Sequence, residues 1–181
     1  MSNNIKDRFK QFVAPTYGRF PLTLASGKGS YIWDTNDKQY LDFGGGIAVN
    51  CLGHSHPEIG QTLSEQSSRL IHCSNLYHFE EQSQLAENLT KRIAPGRVFF
   101  CNSGAESSEV MIKLARRSGQ MEGRFEIITA ENSFHGRTMA GISATGQAKV
   151  KDGFAPLLQG FSHVPFNNLE AIRSSITPAT V

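Results

Sequence analysis

The chain has 181 residues, of which 39% are hydrophobic and 19% are charged, and its formal net charge is +2. This hydrophobic content suffices for a buried core, and the near balance of charge argues against an electrostatic nucleic-acid binder. No apolar run reaches the roughly 20 residues of a membrane helix, and residues 1–10 lack the apolar core of a signal peptide. Composition therefore predicts a soluble, cytoplasmic globular protein with no membrane or nucleic-acid partner.

Two short aromatic runs, 31–33 and 40–43, flank a turn-forming stretch and predict a β-hairpin. Three glycines follow at 44–46, where they allow unusual backbone angles or close approach of another group. A proline at the first helical position, with apolar residues at helical spacing behind it, predicts a helix over 57–71. Apolar residues every fourth position from Leu85 predict a second amphipathic helix.

The three cysteines form no C-x-x-C pair, and without an export signal they are expected to be reduced and mostly buried thiols. Cys51, His54 and His56 bring three possible metal ligands together. No second group of ligands is obvious, and tight turns that end in His-Pro are common. A structural turn is therefore favoured over a metal site, and no metal is predicted.

The remainder of the chain alternates between strand and helix patterns. Residues 98–101, 125–129 and 161–164 are predicted as strands, and helical segments fall between or after them, the last near 168–176. Strands that alternate with helices are typical of βαβ units with a parallel sheet. The predicted fold class is therefore α/β.

The most informative segment is the transition from the apolar run 98–101 into a helix that ends near Gly119. Ser103 and Glu106 have the spacing of a capping box, which marks the helix start. The first N–H groups of a helix are unpaired and partly positive, and Gly104 lets an anion approach them, a phosphate being the usual occupant. The spacing alone leaves two interpretations open: a phosphate site, or a cap that binds nothing.

The same helix has a predicted apolar stripe, which consists of Val110, Met111, Leu114 and Ala115. Glu109 and Lys113 stand four residues apart, with Arg116 and Arg117 near the helix end. These charges fit a solvated face and a favourable dipole placement, so Lys113 is not expected to be a catalytic amine.

A second cluster, Phe134-His135-Gly136-Arg137, follows the second of these strands on a predicted loop. Phe134 can stack on a flat ring, and Arg137 can clamp a carboxylate with its fork of donors. Taken alone, the cluster also fits a core Phe134, a capping His135 and a surface Arg137, and this structural interpretation is favoured over the binding one.

Taken in order, these segments resemble the class III pyridoxal-phosphate aminotransferases. The resemblance lies in Asn102–Glu106, Glu109, Lys113–Arg116 and Phe134–Thr138, and earlier segments agree, at 27–34, 40–50 and 52–57. It implies an incomplete fold type I, aspartate aminotransferase-like structure. Residues 1–56 would belong to the small domain, with its β-hairpin, and residues 57–181 to the first part of the large cofactor-binding domain with its mixed or parallel sheet.

The resemblance also implies the cofactor, pyridoxal 5′-phosphate, and roles for individual residues. The positions that match the family's cofactor-binding residues are Ser103, Gly104, Ala105, Phe134 and His135, and those that match substrate-binding residues are Arg137 and, less securely, Tyr17. Ser103, Gly104 and Ala105 would hold the cofactor phosphate. Phe134 would stack on the pyridine ring of the cofactor, and Arg137 would pair with the substrate α-carboxylate.

The reaction implied is transfer of the terminal amino group of N-acetylornithine, or a related ω-amino acid, to 2-oxoglutarate in arginine biosynthesis, by a homodimer. No lysine of the chain lies in the glycine-rich context expected of the Schiff-base lysine, so no catalytic residue is assigned and the chain alone is expected to be inactive. One alternative is a truncated, non-catalytic product that retains phosphate binding or self-association. A nucleotide-binding α/β module is disfavoured because the glycine fingerprint is missing.

Overall fold

A computed structural model describes the backbone of residues 2–181 and the side chains from residue 5 onward. The chain divides into two compact units, with the boundary between Ser83 and Gln84. The first unit begins with helix α1 (Ser2–Phe12) and continues with an antiparallel sheet of β1 (Leu24–Lys28), β2 (Tyr31–Asp34) and β3 (Gln39–Leu41), in that spatial order. The predicted hairpin is confirmed as β2 and β3, whereas β1 was not predicted.

The glycine-rich segment after β3 forms a short helical turn, α2 (Gly45–Ala48), with left-handed backbone angles. Ile47 has φ +62°, a value that is uncommon for a β-branched residue. The Asp42 carboxylate accepts hydrogen bonds from the N–H groups of Gly44 and Gly45 at 2.9 and 3.0 Å. A side chain just before the glycines therefore supports this turn.

The two predicted amphipathic helices are confirmed as α3 (Pro57–Ser67) and α4 (Glu80–Arg92), the second of which crosses the unit boundary. Helix α3 ends four residues before the predicted end at residue 71. The hydroxyl groups of Ser67 and Ser68 donate to the carbonyl of Ser64, at 2.9 and 3.1 Å. Such local side-chain bonds compete with helix continuation and explain the earlier end.

The second unit has a parallel pair of strands, β4 (Ile127–Ala130) and β5 (Phe161–Val164). Ile127 pairs with Phe161, so the predicted parallel α/β arrangement is confirmed. Three α-helices lie wholly in this unit among the described residues, α5 (Gly104–Gly119), α6 (Met139–Ala144) and α7 (Leu169–Ser175), together with two short 3-10 turns, Gln120–Glu122 and Ala148–Val150. Buried Ile112, Ala140 and Ala144 form a core cluster against the two strands, which joins α5 and α6 to the sheet.

Two predictions for the second unit are wrong. Residues 98–101 form no strand, because nothing among the described residues pairs with them in a ladder. The apolar stripe of α5 was also misplaced: Met111 and Leu114 are 62% and 67% exposed, and the residue that enters the core is Ile112, at 6%. Helical spacing identified an apolar face, but the packing of α6 and the two strands decides which side of α5 is covered.

Arg116 does not lie on a solvated face, as the sequence suggested. Its Nε donates to the carbonyl of Phe125 at 3.2 Å, and a terminal nitrogen donates to the carbonyl of Gln159. Its guanidinium also lies 5.2 Å from the ring centroid of Phe161. The cysteines are free as predicted but not mostly buried, since Cys51 and Cys101 are exposed. Within residues 2–181, no helix is long and apolar enough to cross a membrane.

Candidate cofactor and substrate site

The start of α5 is capped by side chains on both sides of the turn. Ser103 is the N-cap residue, and its hydroxyl oxygen accepts a hydrogen bond from the N–H of Glu106 at 3.2 Å. The Glu106 carboxylate reaches back to the backbone N–H of Asn102 and, at 3.3 Å, to its side-chain amide. The predicted capping box is thus present with a shift, because the glutamate bonds the residue before the N-cap.

This capping arrangement leaves two backbone N–H groups at the start of α5 available to bind an anion. In the described part of the chain, the backbone N–H groups of Gly104 and Ala105 have no hydrogen-bond acceptor. A Cβ added to Gly104 would meet nothing within 4 Å, so the space beside this glycine is open. Unpaired N–H groups at a helix N-terminus form a favourable environment for a phosphate.

The second cluster lies on the loop between β4 and α6. Phe134 is 56% exposed, so the interpretation of this residue as part of the core is wrong. The guanidinium of Arg137, also exposed, lies 5.6 Å from the ring centroid of Phe134. An exposed aromatic face and a bidentate cation therefore stand next to each other on this loop.

A glycine brings the two clusters together. Gly136 is buried and has φ +99°, and a Cβ added to it would lie 2.8 Å from the Cβ of Ala105 and 2.9 Å from its Cα. Only a residue without a side chain permits so close a contact at that backbone angle. The loop of Phe134 and Arg137 consequently packs directly on the first turn of α5, beside the open N–H groups.

The loop that contains Phe134 and Arg137 is hydrogen-bonded to the two residues that follow α6. The hydroxyl of Thr145, which is fully buried, accepts a hydrogen bond from the backbone N–H of His135 at 2.9 Å. The hydroxyl of Ser133 accepts from the N–H of Gly146 at 3.1 Å. Thr145 was missed by sequence reasoning, although a threonine and a glycine directly after an apolar helix mark a chain reversal.

The half-buried His135 is one of the residues that line an open, largely apolar cavity of about 610 Å³. This cavity is lined by residues of α5 and β4, among them Met111 and Ile127. The Nδ1 atom of His135 lies 3.4 Å from the hydroxyl of Ser133. The imidazole is therefore oriented by its own loop.

Tyr17 belongs to the first unit, whereas the other predicted site residues belong to the second. It follows α1 and is 54% exposed. It lines an open cavity of about 710 Å³ together with Phe9 and Arg19.

The cluster of Cys51, His54 and His56 is part of a turn. The Nε2 atom of His54 lies 2.7 Å from a carboxylate oxygen of Asp42, and its backbone forms a bridge with Gly29. The hydrogen bond with His54, followed by those from Gly45 and Gly44, lowers the pKa of the Asp42 carboxyl below its usual value. Among the described residues, no three His, Cys, Asp or Glu side chains are close enough to hold a metal ion.

Comparison with known proteins yields a family match over most of the chain. The family model "Aminotransferase class-III" matches residues 12–177. The acetylornithine aminotransferase of Caldanaerobacter subterraneus subsp. tengcongensis is 48% identical over 170 residues, which cover 92% of this chain and 43% of that protein. That of Gloeobacter violaceus is 48% identical over 179 residues, which cover 97% and 45%. The chain thus spans less than half the length of these relatives.

Solved structures agree with this result. An ornithine aminotransferase from Toxoplasma gondii has a TM-score of 0.91 at 24% identity, and it shares the fold over 97% of this chain and 42% of its own. That structure has pyridoxal phosphate at partial occupancy in its active site. Acetylornithine aminotransferase from Elizabethkingia anophelis has a TM-score of 0.75 at 26% identity, over 96% and 40%. Since the family model spans nearly all of the sequence, the chain belongs to the class III aminotransferases, whose cofactor is pyridoxal 5′-phosphate.

Proposed function

We propose that this chain supplies the phosphate-holding and carboxylate-binding part of an aminotransferase that moves the terminal amino group of N-acetylornithine to 2-oxoglutarate, in arginine biosynthesis. The names of the relatives at 48% identity support this substrate, and a related ω-amino acid is the alternative. The proposal extends to a cytoplasmic homodimer whose partners are small amino and 2-oxo acids.

The residues at the start of α5 fit the cofactor's phosphate. The N–H groups of Gly104 and Ala105 would donate to phosphate oxygens, and the hydroxyl hydrogen of Ser103 is available as a third donor because the oxygen already accepts from Glu106. The partial positive charge of the helix end favours a phosphate dianion. When bound, the cofactor supplies the electron sink for bond breaking next to the amino nitrogen.

The neighbouring loop would orient both the cofactor ring and the substrate. The exposed ring of Phe134 would stack on the pyridine, with His135 beside it. Arg137 would pair with the substrate α-carboxylate through two parallel hydrogen bonds, which orient the substrate as well as bind it. Tyr17 is proposed as a further substrate contact.

The contact between Gly136 and Ala105 carries this proposal. A phosphate-binding helix end on its own fits many proteins, and an aromatic–arginine loop on its own fits many surfaces. Because Gly136 packs on the first turn of α5, a single bound molecule can have its phosphate at the helix end and its ring at the loop.

The test is an assay of the complete polypeptide that contains this chain. Glutamate formation from 2-oxoglutarate is measured with N-acetylornithine, succinylornithine, ornithine and 4-aminobutyrate. The highest kcat/KM is expected with N-acetylornithine. If none of these amines is transaminated, the proposed function is wrong. If another amine gives a higher kcat/KM than N-acetylornithine, only the proposed substrate is wrong.

The 181-residue chain is assayed in parallel. It is expected to show no transamination and, after borohydride treatment with pyridoxal phosphate, no stoichiometric modification at a single lysine. A reduced adduct at one lysine in the chain would contradict the expectation that none of its lysines forms the Schiff base.

A further inference from the structure

Thr145 occupies an unusual position for a polar side chain. It follows the last residue of α6 and is 0% exposed. Its hydroxyl donates to the carbonyl of Gly141 at 2.8 Å and accepts from the backbone N–H of His135 at 2.9 Å. Both capacities of the hydroxyl are therefore used inside the protein, where an unmade hydrogen bond is costly.

The two bonds connect the core to the site loop. Gly141 lies in α6, whose neighbouring residues Ala140 and Ala144 belong to the core cluster. His135 stands between Phe134, proposed as the ring-stacking residue, and Gly136, which contacts Ala105. Restraining the backbone of His135 therefore restrains the direction of Phe134 on one side and the packing of the loop on α5 on the other.

We propose that Thr145 is a positioning residue for the site, which acts through the His135 backbone to hold the Phe134–Arg137 loop in its binding geometry. The kinetic consequence of this inference rests on the proposed function. The restraint of the His135 amide by the Thr145 hydroxyl rests on the hydrogen bonds alone.

The chain offers a matched control for a purely structural role. Ser143 lies in the last turn of α6, two residues before Thr145, is 3% exposed and has a hydroxyl that donates to the carbonyl of Met139 at 2.7 Å. It also accepts from the N–H of Leu158, at 3.0 Å, in the segment that precedes β5. Ser143 and Thr145 thus have the same burial and bonding, and they differ in which segment they hold.

The kinetic experiment compares Thr145→Val, Thr145→Ser and Ser143→Ala in the complete polypeptide. Thr145→Val keeps the shape and loses the hydroxyl, and it is expected to raise the substrate KM and lower kcat/KM by about tenfold or more, because small displacements of positioning groups have effects of that size. Thr145→Ser is expected to retain most of the wild-type kcat/KM, and Ser143→Ala to change it by less than about threefold. Equal losses for Thr145→Val and Ser143→Ala would overturn the proposal.

Hydrogen exchange at the His135 amide gives a readout that needs no catalysis. In the wild type this loop amide is expected to exchange slowly, since its acceptor is buried. Thr145→Val is expected to accelerate its exchange, while Thr145→Ser and Ser143→Ala leave it slow. A rapidly exchanging His135 amide in the wild type would overturn the proposal, even if Thr145→Val does not fold. If the wild type shows no transamination but its His135 amide exchanges slowly, only the proposed function is wrong.

Discussion

Replacement of Gly136 by alanine should disrupt the contact that joins the two parts of the site. The new methyl group would lie 2.8 Å from the Cβ of Ala105, closer than real Cβ atoms approach one another. The residue also has φ +99°, where side chains other than hydrogen are strained. Both effects act at a buried position, so the neighbouring turn of α5 must shift or the loop must move away.

The two effects can be estimated separately. The backbone angle is expected to contribute about 1–2 kcal/mol and the overpacking about 1–3 kcal/mol, which together lower the free energy of unfolding by about 2–5 kcal/mol. Gly123→Ala is the matched control, because Gly123 has φ +70° but its added Cβ meets nothing within 4 Å. The control should show the backbone contribution alone.

Urea unfolding of the chain measures both variants. With a slope of about 2 kcal/mol per M, Gly136→Ala should lower the midpoint by about 1–2.5 M, and Gly123→Ala by less than about 1 M. Ala105→Gly in the Gly136→Ala background should recover part of the difference, since it removes one of the clashing atoms. If Gly136→Ala lowers the midpoint no more than Gly123→Ala, the close contact with Ala105 does not exist in solution.

Three further predictions concern other parts of the chain. Ser103→Ala should lower the free energy of unfolding by about 1 kcal/mol in urea titrations, through loss of the helix cap, whereas Ser103→Thr should lower it less. Because the folded-state pKa of Asp42 is depressed, its stabilisation is present above its unfolded pKa and is lost as the pH falls through the folded value. The difference in Tm between wild type and Asp42→Asn should therefore stay constant above about pH 4 and shrink as the pH falls further, and a difference that stays constant down to about pH 2 would refute the stabilising role of the Asp42 carboxylate. Arg137→Ala in the complete polypeptide should raise the amino-acid KM by about 10- to 100-fold and leave cofactor affinity, followed by absorbance, nearly unchanged. Equal loss of both would contradict the carboxylate role.

Patterns confined to short stretches of sequence predicted much of the fold correctly. The hairpin of β2 and β3, the start of α3 at Pro57 and the cap of α5 at Ser103 agree with the structure. These features depend on residues no more than ten positions apart in the sequence, which bond or pack before distant parts of the chain matter. The parallel pairing of β4 and β5 followed from the alternation of strands and helices.

Predictions that depended on neighbours in space were less successful. Residues 98–101 have the composition of a buried strand, but a strand requires a hydrogen-bonded partner, which composition does not reveal. Arg116 has the position of a solvated helix-end cation, yet the carbonyl groups of Phe125 and Gln159 lie within its reach. The burial of a helix face likewise depends on what packs against it.

The sequence by itself determined the local geometry of the phosphate-type turn and, through its ordered motifs, the family. The tertiary structure alone decided that the Phe134–Arg137 loop lies on the first turn of α5 and that Thr145 holds it there. The physical reason is one of range. Helix caps depend on bonds between residues three or four positions apart, whereas the site depends on contacts that form only when α5, α6 and the strands pack into one core.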